Sequence, residues 1–382
     1  MLEGYLGYSR VDWERMAQTT LAQHVRELED ATLRSYQMPA MILAGGRFMG
    51  SQRGRGIDWP VKYRNHPVEG NTGQTPRQFG RHNLYQNAHT DWRGYQTTDA
   101  MYEAEFLMNG PGETQIIDVF NGFVDRLTTS MDEFLASQYY IDGDDADNLD
   151  FWQGLDTIYK FAGTINIATG VARNANTADK VAYPYGTYAD LDMRLGAYGG
   201  ANHSGLIWPA GLSDPQFDFW SPLGVITDHT DFVASATPLY DAVRYGLTQA
   251  DRSRSLSGQI TNVMFDRDGF SSLKSQAETK ERIIVTSENG LRALGFKDTI
   301  IFDGRELSWE VAIAPETGYG FNFANIGMRS LYPQLTNPEG PFYDYKEQAY
   351  HGIVKNLSNL MYKSPRNFAK WLTTTAAGNA PA

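Results

Sequence analysis

Ile116, Phe120, Phe123, Leu127, Met131 and Phe134 follow one another at steps of four and three, so a helix would carry all six on one face. Ile117, Val124 and Leu135 widen that stripe, while Asp118, Asn121, Asp125, Thr128, Asp132 and Glu133 fall mostly opposite. Gly110-Pro111-Gly112 bars helix before the stripe, and the acid Glu113 suits a first turn, where the helix dipole is positive. The period fades at Tyr139-Tyr140, and Asp142-Gly143 offers a stop. The pattern predicts a helix over Glu113–Gln138, roughly 38 Å long at 1.5 Å per residue. An element this long and one-sided is a spine on which other layers lie. It is not a catalytic motif.

The rest of the chain reads in shorter pieces. Residues 12–36 carry a second amphipathic pattern through Met16, Leu21, Val25, Leu28 and Leu33, which Pro39 is expected to end. Residues 57–63 (IDWPVKY) alternate as a strand does, and residues 95–107 do so less cleanly through Met101, Tyr102 and Phe106. Between them, residues 65–88 are rich in Gly, Pro, Asn, Gln, Arg and His, so the two strands would make one long extended hairpin. Ordering such a polar stretch is expensive for a lone chain. Either a partner subunit orders it or it is a disordered loop.

Asp142, Asp144, Asp145, Asp147 and Asp150 form an acidic turn that fails the calcium-loop spacing and reads as solvated. Residues 161–169 and 282–286 read as strands, and 174–224 as loops with short strands. Thr237-Pro238 opens a helix buried through Leu239, Val243 and Leu247. Residues 260–265 are a short strand, after which Asp266 caps a brief helix bearing Phe270 and Leu273. Asp303-Gly304 between two apolar runs marks a hairpin. Residues 353–373 read as a strand pair or bend broken at Pro365.

Composition narrows the function. The 382 residues are 41% hydrophobic and 13% aromatic, which describes a folded chain with a large core. There is no apolar run long enough to span a membrane, and the first residues lack the basic and apolar blocks of a signal peptide. The absence of cysteine removes disulfides, thiolate metal sites and cysteine nucleophiles, and fits assembly in a cytoplasm. The net charge of −12 argues against tight nucleic-acid binding by the whole chain. It is unevenly spread: residues 47–93 hold eight bases against three acids, +5, which leaves −17 for the remainder.

No specific chemistry emerges. His24, His66, His82, His89, His203, His229 and His351 show no metal-ligand spacing. His82 and His89 read as exposed loop residues, and His203-Ser204 as a loop. A GxSxG elbow and a Walker loop are both missing. Aspartates are too numerous for a glycosidase pair to stand out. Catalytic, cofactor and metal sites are therefore all read as none.

Three stretches carry a resemblance. Residues 259–276, around ITNVMFDRDGFSSLK, look like an axial-domain strand followed by its short helix. Residues 321–331 (FNFANIGMRSL) look like the strand leaving that domain. Residues 362–372 (YKSPRNFAKWL) look like a closing strand. With the spine and the extended loop, the chain resembles the major capsid protein of tailed bacteriophages, the shell fold shared with encapsulins and the herpesvirus capsid floor. The resemblance implies an α+β fold with an N-terminal arm and helix (1–46), an extended loop (47–108), a peripheral domain on the spine helix (109–160), an axial domain (161–320) and a return to the peripheral domain with a C-terminal tail (321–382). Residues 174–224 fit it poorly.

The resemblance further implies a structural virion protein. It would assemble in the host cytoplasm as hexamers and pentamers into an icosahedral shell around double-stranded DNA, with the virion capsid as its location. Partners would be copies of itself, with scaffolding, portal and decoration proteins, and only weakly the packaged DNA. An encapsulin-type nanocompartment shell and, further off, a glycan-active or glycan-binding protein are the alternatives. In a shell, each basic loop would cross an adjacent subunit, with Arg53, Arg55, Lys62, Arg64, Arg77 and Arg81 facing Asp132, Glu133, Asp142, Asp144 and Asp145. The rival reading is that these arginines bind nucleic-acid phosphates. Lys62, the only lysine of the loop, is the candidate for any isopeptide cross-link.

Overall fold

The structure, a computed structural model, describes residues 36–63, 73, 79–81, 83–103, 113–159, 180–184, 186–194, 197–198, 219–251, 258–280 and 299–373. Its helices are α1 (Gln37–Ala44), α2 (Glu113–Gln138), α3 (Thr230–Val233), α4 (Pro238–Ala250) and α5 (Arg267–Lys280). The first strands are β1 (Phe48–Met49), β2 (Gly56–Lys62), β3 (Tyr85–Asp91) and β4 (Arg93–Tyr102). Short strands follow: β5 (Val181–Ala182), β6 (Thr187–Tyr188), β7 (Leu191–Asp192), β8 (Leu223–Ile226) and β9 (Asn262–Phe265). The last are β10 (Ile300–Phe302), β11 (Arg305–Trp309), β12 (Thr317–Phe321), β13 (Ile326–Ser330), β14 (Asn337–Asp344), β15 (Ala349–Tyr362) and β16 (Ala369–Leu372). Among the described residues no helix is long and apolar enough to cross a membrane.

Two sheets organise these elements. One has β15 as its long centre, with β4 along one side and β13 and β14 along the other, and β1 beyond β13. The other runs β10-β11-β9-β12-β16-β8-β5. The chain crosses between them three times, first between β4 and β5 and then at two short turns. It leaves β12, makes one 3-10 turn at Phe323–Asn325 and enters β13 in the first sheet. It then leaves β15, makes a second turn at Pro365–Asn367 and enters β16 in the second. Pro365 fits this break because its ring forbids continuation of the ladder. There are two apolar cores, and the one under the spine also takes in Met264, Tyr319 and Phe321 from the second sheet. The other is closed by α4 and α5, with Trp371 donating its indole N–H to the Ala242 carbonyl at 3.1 Å.

The spine spans the residues its periodicity predicts, and Phe123, Val124, Leu127, Met131 and Leu135 are buried against the first sheet. Gly352, near the start of β15, makes this seat possible, since a Cβ there would come within 2.4 Å of the Phe123 ring. The spine bears two corrections. Phe134 is 40% exposed, at the rim of the stripe, where it meets the rings of Tyr95 and Phe151 edge-on. Thr128, placed on the polar face, is buried with its hydroxyl donating to the Val124 carbonyl at 2.8 Å. Ile116 and Phe120 lie on the helix, but their side chains are outside the described residues.

Several local expectations hold. Thr237 precedes α4, Asp266 accepts the Gly269 N–H at 3.3 Å in the first turn of α5, and Asp303-Gly304 turns β10 into β11 with positive φ at both residues. Others change. Pro39 sits in the first turn of α1, where its missing N–H costs nothing, while the helix it was expected to end lies outside the described residues. The strand at residues 57–63 does not pair with residues 95–107. Its partner is β3, in register Trp59↔Ala88, inside the stretch read as polar loop. β4 instead forms a ten-residue ladder with β15. The reason is composition: the packed face of β3 carries only Ala88 and Thr90, so its sequence shows no alternation of large apolar side chains. The strands read at residues 161–169 and 282–286, and the helix read over residues 12–36 up to Ser35, lie outside the described residues.

Candidate assembly surface

The β2–β3 ribbon is anchored on the body by one face, out to buried Leu84 and to Tyr63, whose ring meets that of Tyr198 edge-on. Ile57, Trp59, Ala88 and Thr90 are buried there, and the His89 N–H donates to the Ala189 carbonyl at 3.1 Å. The support comes from the β6–β7 turn, in the region that fits the resemblance poorly. Tyr188 there is fully buried among Trp59, Trp220 and Tyr362, and its phenol accepts the Tyr362 N–H at 3.0 Å. Part of residues 174–224 is thus a ledge under the ribbon, tied to the end of β15.

The other face of the ribbon, and residues 79–81 beyond it, are largely exposed. Phe79 is 93% and Tyr85 60% exposed. Arg53, Arg55, Lys62 and Arg81 are exposed, and none of the four has an ion-pair partner among the described residues. Arg64 and Arg77 lie outside the described residues. Asp58 and His89 are directly opposed across the ribbon at 2.7 Å, with Asp91 on the other ring nitrogen at 3.3 Å. The hydrogen bond of His89 to the Asp58 carboxylate raises the imidazole above its ordinary value, against a smaller opposing effect of burial. His89 is therefore a half-buried strand residue and not a free loop histidine; the sequence offered no signal for its partner 31 positions away.

The acidic turn is only partly solvated. Arg93 reaches back from β4 to donate to Asp144 Oδ1 at 3.0 Å, to the Phe151 carbonyl at 2.9 Å and to the Gly143 carbonyl. Asp144 Oδ1 also accepts from Gln153 Nε2 at 2.9 Å, and Asp142 Oδ1 accepts the Asp144 N–H at 3.0 Å. Of the acids predicted to meet a neighbour, Asp142 and Asp144 are thus engaged within the chain and half-buried, as is Asp132 by exposure, while Glu133 and Asp145 face solvent. Beside this turn a cleft of about 690 Å³ opens over the β4–β15 ladder, lined by Trp92, Leu149, Asp91, Asp150, Tyr332 and Lys355 among others. Leu149 is 60% exposed at its mouth.

Other titratable clusters are spent on structure. Asp344, Glu347 and His351 bring ligand atoms within 4.8 Å of one another at the β14–β15 turn. There Asp344 accepts the Lys346 N–H at 2.7 Å and His351 pairs with Glu347 at 3.4 Å, so the three close the hairpin. His229 accepts the Asp231 N–H at 3.2 Å as the cap of α3. His203-Ser204 lies outside the described residues.

No protein-family model and no curated protein matches this sequence. Solved structures do match its shape. The capsid chain of a native GTA particle superposes with a TM-score of 0.50 at 10% identity, over 87% of this chain and 90% of that one. The capsid chain of cyanophage A-1(L) superposes with a TM-score of 0.53 at 9% identity, over 85% of this chain and 89% of that one.

Proposed function

We propose that this chain, which has the tailed-phage major capsid fold, is a structural virion protein whose copies form an icosahedral shell of hexamers and pentamers around double-stranded DNA. The observation that carries the reading is the ribbon. A two-stranded hairpin is marginal alone in water, and this one presents an exposed Phe79 and four exposed cations that have no ion-pair partner among the described residues. A second copy is the natural cover, and the body of this chain is acidic where the ribbon is basic. The ribbon tip would lie over the neighbour's turn at residues 142–150. Asp145 and Glu133 would be the first acids to meet Arg53, Arg55, Lys62, Arg64, Arg77 and Arg81.

On this reading residues 1–46 are the arm and first helix, 47–108 the extended loop with β4 returning to the body, and 109–160 and 321–382 the peripheral domain. Residues 161–320 form the axial domain. Scaffolding, portal and decoration proteins would be further partners, no catalytic role is assigned, and assembly would take place in the host cytoplasm. Light scattering with negative-stain microscopy of the purified chain tests this. Closed shells or rings of five and six are expected. A monomer that persists at high concentration, with and without co-expressed shell components, overturns it.

A further inference from the structure

The carboxylate of Glu310 is buried and caps a helix that begins 273 residues earlier in the sequence. Its Oε2 accepts the Gln37 N–H at 2.9 Å and the Met38 N–H at 3.4 Å, the first free amides of α1. Gln37 adds a side-chain bond to the Trp309 carbonyl at 2.9 Å, and the Glu310 N–H is fixed to the Phe265 carbonyl at 3.1 Å. The rest of the α1 seat is apolar, with Met38, Met41 and Ile42 buried. Residues 1–35 join the body through this helix.

The groups around Glu310 offer no counter-charge. From the α1 side it faces Tyr36, whose phenol also feels Glu133 and Asp132 of the spine, and from the end of the spine it faces Tyr140. All four are acids, and among the described residues no lysine, arginine or histidine pairs with Glu310. Two amides and the positive end of one short helix are all that offset an ionised carboxylate there. The side-chain oxygen of Gln37 is also buried without a hydrogen-bond partner.

We infer that Glu310 is a protonation-controlled latch: neutral, it holds α1, and hence the root of the N-terminal segment, on the second sheet; ionised, it loosens that hold. Burial pushes the group up to about 7 from 4.5, with the two amide bonds pulling weakly the other way. The sign follows from linkage. A carboxyl raised in the closed state contributes full stability below 4.5, and that contribution is lost as pH rises to about 7. The inference stands whether or not the chain builds a shell.

Amide hydrogen exchange on the full-length chain tests it, read as protection factors so that intrinsic base catalysis is removed. Protection of residues 40–44 should fall with rising pH, by up to about tenfold per unit between pH 5 and 7, while β15 stays flat. Glu310→Gln keeps the shape and an acceptor oxygen, and its profile over the same residues should be level. A level wild-type profile overturns the latch without any variant. So does a Glu310→Gln chain that keeps the wild-type slope, or a fall shared equally by β15.

Discussion

Arg93 and Asp144, 51 residues apart, meet at 3.0 Å and bind the root of the ribbon to the turn that ends the spine. Both side chains are largely buried, and the same guanidinium also serves two backbone carbonyls. Arg93→Met should therefore leave acceptors and a charge unmatched, at about 2–4 kcal/mol. Urea unfolding should show it, and Asp144→Asn in the same background should cost much less than it does alone. Additive costs would mean the two residues do not act as a unit.

The spine face makes a second prediction. Phe123→Asp places an unpaired carboxylate against β15 and should cost roughly 3–5 kcal/mol. Gly352→Val attacks the same contact from the sheet and should cost about 1–3 kcal/mol by overpacking. Soluble, fully folded protein of normal thermal stability from either variant would remove the spine from the core.

The third concerns pH at the ribbon. His89 is raised chiefly by its hydrogen bond to Asp58. What the charged pair adds to the ribbon is complete below the ordinary histidine value of 6.5 and disappears as pH rises through the folded value. An NMR titration of the imidazole should give a midpoint above 6.5. Asp58→Asn should bring it down, whereas a midpoint unmoved by that change would show that the contact does not hold in solution.

Charge reversal separates the two readings of the basic ribbon. Arg77→Glu with Arg81→Glu should impair assembly in the absence of DNA, and raised salt should weaken wild-type assembly. Each exposed pair is worth only about 0–1 kcal/mol, but an assembly repeats it at every copy. Normal assembly of the double variant with loss of DNA retention would assign these arginines to phosphate binding.

What the sequence made legible was what periodicity and turn chemistry control. The spine from Glu113 to Gln138, the Asp303-Gly304 turn and the Asp266 cap depend on neighbours within a few positions. β3 was hidden because its buried face carries only an alanine and a threonine, Ala88 and Thr90, and so reads as loop. The contacts that define the candidate surface were hidden for a different reason. Arg93 with Asp144, Tyr188 under Trp59 and Glu310 at α1 each join residues brought together only by the path of the chain, and no local pattern records such a pairing.

The order in which the ribosome delivers this chain has a consequence. The centre of the first sheet, β15, and an interior strand of the second, β16, are both made after residue 348. Every earlier strand of the first sheet waits for β15, directly or through β13, and β12 and β8 have only β16 between them. Folding thus depends on contacts distant along the chain, which form slowly. A translation product cut before Ala369 lacks β16, so β12 and β8 are left unjoined in the second sheet. Their pairing edges then stay open, the kind of edge that invites association with another chain.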